Sequence, residues 1–220
     1  EYLEGPQISA EGIFYKDKFY LIALSDRNYK TTKYLLPNII EDGGELPSKF
    51  ENKFRKKIER LIFNAAKSLE ISWGPIKADI VINNNKPYII ELAARISGGY
   101  FATNTIRFSY KYDIVKNYIK LSNNKKIDKP VILKKPKTIA QRYIFASPGK
   151  IKSININQKI LKRQFVKKVV LNLSSGNYQK KIRSHPDRTG MVICSGNTIS
   201  NAIKNCHKTI NNILINYYAK

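Results

Sequence analysis

PYIIELAARISGGYFAT, residues 87–103, runs from an apolar, β-branched stretch into a glycine-containing loop, with its charges at fixed intervals. Glu91 closes the apolar run, Arg95 follows four residues later, and Ser97-Gly98-Gly99 opens the backbone. Just upstream, IKADIVINNNKPYIIELAAR alternates apolar and polar residues on both sides of an Asn-rich turn, which predicts a β-hairpin. With Asn84-Asn85-Lys86 as its loop, Asp79 and Glu91 face each other on one side of the sheet. Opposed like charges are destabilising, and two close carboxylates resist joint ionisation, so a positive charge is expected between them. Oxygen donors with no His or Cys nearby suit a hard cation such as Mg²⁺. Continuing the strand, Ala93 and Arg95 project on the Glu91 side, where a guanidinium fork can hold phosphate bidentately. Ser97-Gly98-Gly99 then lets the backbone approach an anion closely. Spacing alone leaves a second reading open, in which Asp79 and Arg95 form ordinary surface ion pairs and the glycines only turn the chain.

Working outward, GIFYKDKFYLIALS (residues 12–25) reads as a hairpin turning at Lys16-Asp17-Lys18. The following segment to Pro47 carries Pro37, Gly43-Gly44 and Pro47 and is expected to be irregular and exposed. Ser48-Lys49-Phe50-Glu51 has the form of a capping box, and Phe50, Phe54, Ile58, Leu61, Ile62, Ala65 and Leu69 keep helical spacing behind it, which predicts about six turns. Asp113 is placed to cap a short helix bearing Ile114, Val115, Tyr118, Ile119 and Leu121. The polar stretch from Asn123 to Lys137, with two prolines, reads as a link, giving domains at 1–128 and 129–220. Beyond it TIAQRYIFAS, KIKSI, FVKKVVLNLS and GMVICSG are candidate strands. A closing helix from about Ser200 is predicted to turn Ala202, Ile203, Cys206, Ile210, Ile213 and Leu214 inward. The fold class is α+β.

The chain has 220 residues, 42% of them hydrophobic, enough for a real core. It contains no run of membrane-spanning length, and EYLEGPQISAEG at the start does not read as a signal peptide, so a cytoplasmic protein with no membrane partner is expected. Cys194 and Cys206 make no metal-ligand spacing and read as reduced packing residues. Forty Lys+Arg against 16 Asp+Glu give +24, which attracts polyanions at long range. The basic residues come as scattered pairs (Lys134-Lys135, Lys162-Arg163, Lys167-Lys168, Lys180-Lys181), the pattern of a solvated surface, and no specific nucleic-acid partner is expected. His185 and His207 read as structural, and Arg188 as a lobe contact.

The residues IELAARISGG resemble the ATP-grasp superfamily of carboxylate-amine ligases, whose corresponding strand ends in a Glu-x-Asn/Ala-x-Arg pattern before a glycine-containing loop. EYLEGPQISAEG is similar to the family's adenine-hinge strand, where Glu-x-x-x-Gly-x-Glu-x-Ser is usual, and GMVICSGNTISNAIKNC resembles the small lobe that follows the grasp domain. The resemblance implies the C-terminal part of the grasp domain, an antiparallel sheet with flanking helices, followed by a small α+β lobe. It implies ATP with Mg²⁺ or Mn²⁺ as cofactors, small carboxylate and amine substrates, and the N-terminal lobes of the same enzyme as missing partners, with a homodimer as a further option.

Carried over by residue, Asp79 would bind one Mg²⁺ and Glu91 would bridge two, while Ala93 stands where many relatives have a metal-binding Asn. Arg95 matches the residue on the transferring phosphate, and Ser97, Gly98 and Gly99 match the loop near the carboxylate substrate. Glu1, Tyr2 and Leu3 fall at the adenine hinge, Gln7 replaces the usual ribose-binding Glu, and Glu11 faces the site with its role open. The expected function is that of the C-terminal part of an ATP-dependent ligase forming an amide through an acyl-phosphate. The alternatives are a non-catalytic domain derived from that fold and a basic nucleic-acid-binding module.

Overall fold

A computed structural model describes residues 1–130, 133 and 135–219. Val131, Ile132 and Lys134, inside the segment read as a link and including one member of the Lys134-Lys135 pair, lie outside the described residues. In chain order the strands are β1 (Gln7–Tyr15), β2 (Lys18–Arg27), β3 (Gly44–Leu46), β4 (Gly74–Asn83), β5 (Lys86–Ala93), β6 (Ile139–Ile144), β7 (Gly149–Ile156), β8 (Val166–Leu171), β9 (Tyr178–Gln179), β10 (Gly190–Ser195) and β11 (Ile213–Tyr217). The helices are α1 (Glu51–Ser68), α2 (Ile106–Tyr110), α3 (Ile114–Ser122), α4 (Gln158–Leu161) and α5 (Ile199–Ile210). The chain divides into two compact units, residues 1–27 with 46–137 and residues 28–45 with 138–220.

In the first unit the strands pair antiparallel in the order β5-β4-β1-β2. The hairpin expected at residues 12–25 is longer at both ends and turns on Lys16 and Asp17, both at positive φ. One face of the sheet is apolar: Ile8, Ala10, Ala78 and Ile80 pack with Phe54, Ile58, Ile62 and Ala66 of α1. Strand alternation therefore sends Gln7, Ser9, Glu11, Lys77 and Asp79 to the opposite face. Farther along the strands Ile13, Ile22 and Ala23 form a second cluster with Ala102, Ile106, Ile114 and Leu121, from the helical segments that follow the glycine loop.

Helix α1 differs from expectation at both ends. It has 18 residues, near five turns, and its N-cap position is Phe50 with no side-chain cap. The Ser48 hydroxyl is committed elsewhere, donating to Asp26 Oδ1 at 2.5 Å, and the Glu51 carboxylate pairs with Arg55 and accepts from the Tyr110 hydroxyl. Ala66, one position from the predicted Ala65, faces the core, and Leu69 is 60% exposed past the helix end. Asp113 caps α3 as expected, accepting from Lys116 N at 2.9 Å. The π-helical turn Phe101–Thr105 and α2 have no counterpart in the sequence reading.

The second unit holds the sheet β6-β10-β8 and a smaller sheet β11-β7-β9. The candidate strands TIAQRYIFAS, KIKSI, FVKKVVLNLS and GMVICSG are all present, as β6, β7, β8 and β10, with β7 longer than KIKSI at both ends. Helix α5 stops at Ile210, and Ile213 and Leu214 stand on β11, with Leu214 62% exposed, so the predicted inward helical face was carried one element too far. The segment read as exposed loop is mostly irregular, broken by a helical turn at Thr32–Tyr34 and by β3, and its second half is buried: Ile40, Asp42 and Gly43 pack within this unit. A Cβ on Gly43, at φ +83°, would meet Gln141 O at 2.2 Å, so only glycine allows that approach. Asp42 accepts from Tyr143 N and Asn28 Nδ2, and burial pushes its carboxyl up to about 6 against the pull of Arg142. Arg142, 4% exposed, is paired with Glu45.

Cys194 and Cys206 are buried free thiols. His185 Nε2 accepts from Glu41 N, while His207 lies on the outer side of α5. Arg188 donates to Glu41 O and stacks on Tyr143 with its guanidinium carbon 3.4 Å from the ring centre, both partners being within its own unit. Among the described residues no helix is long and apolar enough to cross a membrane.

Candidate functional site

Strand register assembles the site on the polar face of the first unit. Glu91, Asp79, Ser9 and Ser25 form one cross-strand row, and Ala93, Lys77, Glu11 and Ala23 the next. The opposition of Asp79 and Glu91 read from the sequence is present, but by a different route. The turn is Asn84-Asn85, two residues at φ 44° and 60°, and Lys86 already belongs to β5. A two-residue turn alone would set Asp79 against Ile90. A register shift between Asp79 and Ile80 makes Ile90 the extra residue of a β-bulge and brings Glu91 opposite Asp79.

The positive charge expected between the carboxylates is the Lys77 ammonium, 2.5 Å from Asp79 Oδ2 and 3.3 Å from Glu91 Oε1. Arg27 Nη1 lies 2.9 Å from Asp79 Oδ2, and the Ser9 hydroxyl donates to Asp79 Oδ1 at 3.2 Å. Arg95 stands past the end of β5, correcting its placement on the strand. Its Nη2 is 3.4 Å from Glu91 Oε1, and both side chains are about half exposed. Arg27 and Lys77 were missed in the sequence. Each sits two residues from a polar neighbour on the same strand face, Ser25 and Asp79, a signal visible once the strands are aligned.

Glu11 is fully buried, and both its oxygens are turned to one residue: Ser97 N donates to Oε1 at 2.9 Å, and the Ser97 hydroxyl donates to Oε2. Burial raises the Glu11 carboxyl to about 7, against the lowering effects of the Ser97 hydrogen bonds, Lys77 and Arg95. A folded-state value above the ordinary one means the fold favours the proton. The stabilisation is full below pH 4.5 and is lost as pH rises through 7. Glu11→Gln should abolish this dependence. The wild type should lose up to about 3 kcal/mol relative to the variant between pH 4.5 and 8, seen as a widening gap in melting temperature. A gap constant with pH would show that Glu11 does not titrate in this window.

Gln7 is exposed on the same face, opposite Val81. Glu4 to Pro6 continue beside β4, where Ile82 N donates to Pro6 O and Asn83 Nδ2 to Glu4 O. Gly5, at φ +153°, allows the approach, since a Cβ would lie 2.1 Å from Ile82 O. Glu1, Tyr2 and Leu3 run off beyond the strand, with Tyr2 90% exposed, and the structure does not gather them with Asp79, Glu91 and Arg95.

The donor set fits magnesium brought with phosphate better than magnesium alone. Two carboxylates, Asp79 and Glu91, are set against Arg27, Lys77 and Arg95, so a bare dication would add charge to a cluster that already carries more cations than carboxylates. A net-negative magnesium–triphosphate would instead give the three cations phosphate oxygens to pair with. Among the described residues no cluster of three or more metal-ligating side chains exists.

Residues 1–99 match the family model of the ATP-grasp domain, and residues 142–218 match that of L-amino acid ligase C-terminal domain 2. The fold is ATP-grasp. The resemblance read from IELAARISGG is thereby borne out. Phosphoribosylglycinamide synthetase from Anaerococcus prevotii superposes with a TM-score of 0.85 at 20% identity, covering 99% of this chain and 55% of that one. L-amino acid ligase from Bacillus licheniformis gives 0.82 at 17% identity, covering 99% and 53%, and biotin carboxylase from Campylobacter jejuni gives 0.73 at 16%, covering 98% and 47%. The chain spans about half the length of these solved structures. No curated protein matches it in sequence.

Proposed function

We propose that the protein carrying this chain is an ATP- and Mg²⁺-dependent carboxylate-amine ligase that forms an amide or peptide bond through an acyl-phosphate. The observation that carries the reading is the bulge-set opposition of Asp79 and Glu91, ringed by Arg27, Lys77 and Arg95 beside the Ser97-Gly98-Gly99 loop. The match of residues 142–218 to an L-amino acid ligase domain supports an amino acid among the substrates.

In the proposed reaction a carboxylate oxygen takes the terminal phosphoryl group of ATP, releasing ADP. An amine then attacks the acyl carbon, and phosphate leaves with the C–O bonding electrons. Asp79 and Glu91 would hold Mg²⁺, which when bound neutralises phosphate charge. Arg95 offers two parallel donors to the phosphoryl oxygens as charge shifts among them. Lys77 and Arg27 are placed to exchange the Asp79 carboxylate for phosphate oxygens. Ser97, Gly98 and Gly99 would meet the carboxylate substrate through their backbone. No side chain need form a covalent bond.

Hydroxylamine in place of the amine tests this reading, because it intercepts an acyl-phosphate as a hydroxamate. ADP release that requires a carboxylic acid, with hydroxamate formed in equal amount, is expected. ADP release indifferent to every carboxylic acid offered would overturn the proposal.

A further inference from the structure

We propose that Glu11 is a positioning residue that clamps the Ser97-Gly98-Gly99 loop into its ligand-facing shape through the Ser97 amide and hydroxyl. The inference rests on the ligase reading only for the identity of the ligand that the loop meets. Its basis is a contact between residues 86 apart in sequence: Ser97 N donates to Glu11 Oε1 at 2.9 Å and to Oε2 at 3.3 Å, and the Ser97 hydroxyl donates to Oε2. Both oxygens of a carboxylate with no exposed surface are thus turned to one loop residue.

The loop needs such a tether. A Cβ at Gly98 would meet nothing within 4 Å, and the bond its carbonyl accepts from Phe101 N is local to the turn itself. Gly99 and Tyr100 follow at φ 60° and 66°, two consecutive left-handed residues that turn the chain into the π-helical segment. Left-handed geometry is costly for tyrosine and persists where neighbouring contacts impose it. The clamp fixes the residue just ahead of that turn. A carboxylate accepts from both groups with charge assistance; a glutamine keeps one acceptor for the Ser97 amide and must turn its NH₂ to the Ser97 hydroxyl, which then accepts instead of donating, so both bonds become neutral and weaker.

The charged groups facing Glu11 are Lys77 from β4 and Arg95 from the segment after β5, while its partner on β2 is Ala23. Both cations favour the ionised clamp. Burial opposes them and leaves the carboxyl near 7, so the clamp weakens as pH falls through neutrality.

The test is amide NMR on this chain with Glu11→Gln and Ser97→Ala variants. In the wild type the Ser97 amide proton should shift with a midpoint near pH 7, and the Glu11→Gln spectrum should be flat there. Hydrogen exchange across residues 97–100 should quicken about tenfold in Glu11→Gln, and by less in Ser97→Ala, which keeps the backbone donor. A Ser97 amide shift unaltered by Glu11→Gln at every pH, or unchanged exchange in both variants, would overturn the clamp. Should Glu11→Gln not fold, the wild-type titration and Ser97→Ala decide alone. In the ligase assay Glu11→Gln should raise KM for the carboxylic acid about tenfold and leave KM for ATP unchanged. Absence of any acid-dependent turnover alongside a titrating Ser97 amide would sink the ligase reading and leave the clamp standing.

Discussion

Replacing Glu91 by glutamine is expected to weaken Mg²⁺-nucleotide binding by about 100-fold while leaving the fold intact. The side chain is about half exposed and its volume is unchanged, so the melting temperature should stay close to that of the wild type. The loss arises because one of the two opposed carboxylates becomes neutral, leaving Asp79 already paired with Lys77 and Arg27. Calorimetry with Mg²⁺ and a non-hydrolysable ATP analogue reads the effect, and a parallel titration without Mg²⁺ separates the metal's share from that of the cations. Nucleotide affinity unchanged in the presence of Mg²⁺ would remove Glu91 from the metal assignment.

Arg95→Lys should lower turnover by about 100-fold, with nucleotide affinity within a few-fold of wild type. The guanidinium is held only loosely in the free protein, by Glu91 at 3.4 Å and the Ile96 carbonyl at 3.4 Å, and its side chain is 56% exposed. It is therefore available to a ligand at little cost to the fold. An ammonium keeps the charge but cannot present two parallel donors to a phosphoryl group, so the deficit should fall on kcat. Full turnover in the lysine variant would show Arg95 to be an ordinary surface ion-pair partner of Glu91, the second reading that its spacing allows.

The hairpin was legible because alternation and an Asn-rich turn are local signals, and its parity count reached the right pair by compensating errors. One residue too many was assigned to the turn, and one residue of bulge at Ile90 was unseen. A bulge leaves no compositional mark in a stretch as uniformly β-forming as PYIIELA. The capping box at Ser48 shows the opposite failure, a local motif overridden when Asp26, 22 residues away, takes the serine hydroxyl. Likewise Ile213 and Leu214 continue a helical spacing by chance, and pairing of Ile213–Tyr217 with β7 makes them strand.

By itself the sequence determined the α+β class, the apolar face of α1, the carboxylate hairpin and the interval from Glu91 to Arg95, because each depends on neighbours within one element. Tertiary structure decided what those carboxylates touch. Arg27 and Lys77 reach Asp79 because β2, β1 and β4 align in register, and Glu11 meets Ser97 because β1 passes beneath a loop 86 residues downstream. It also decided that residues 28–45 join residues 138–220, burying Asp42 and Gly43 in a stretch whose composition is that of a surface loop. Such contacts follow from which distant surfaces exclude water together, and no local pattern of residues encodes that.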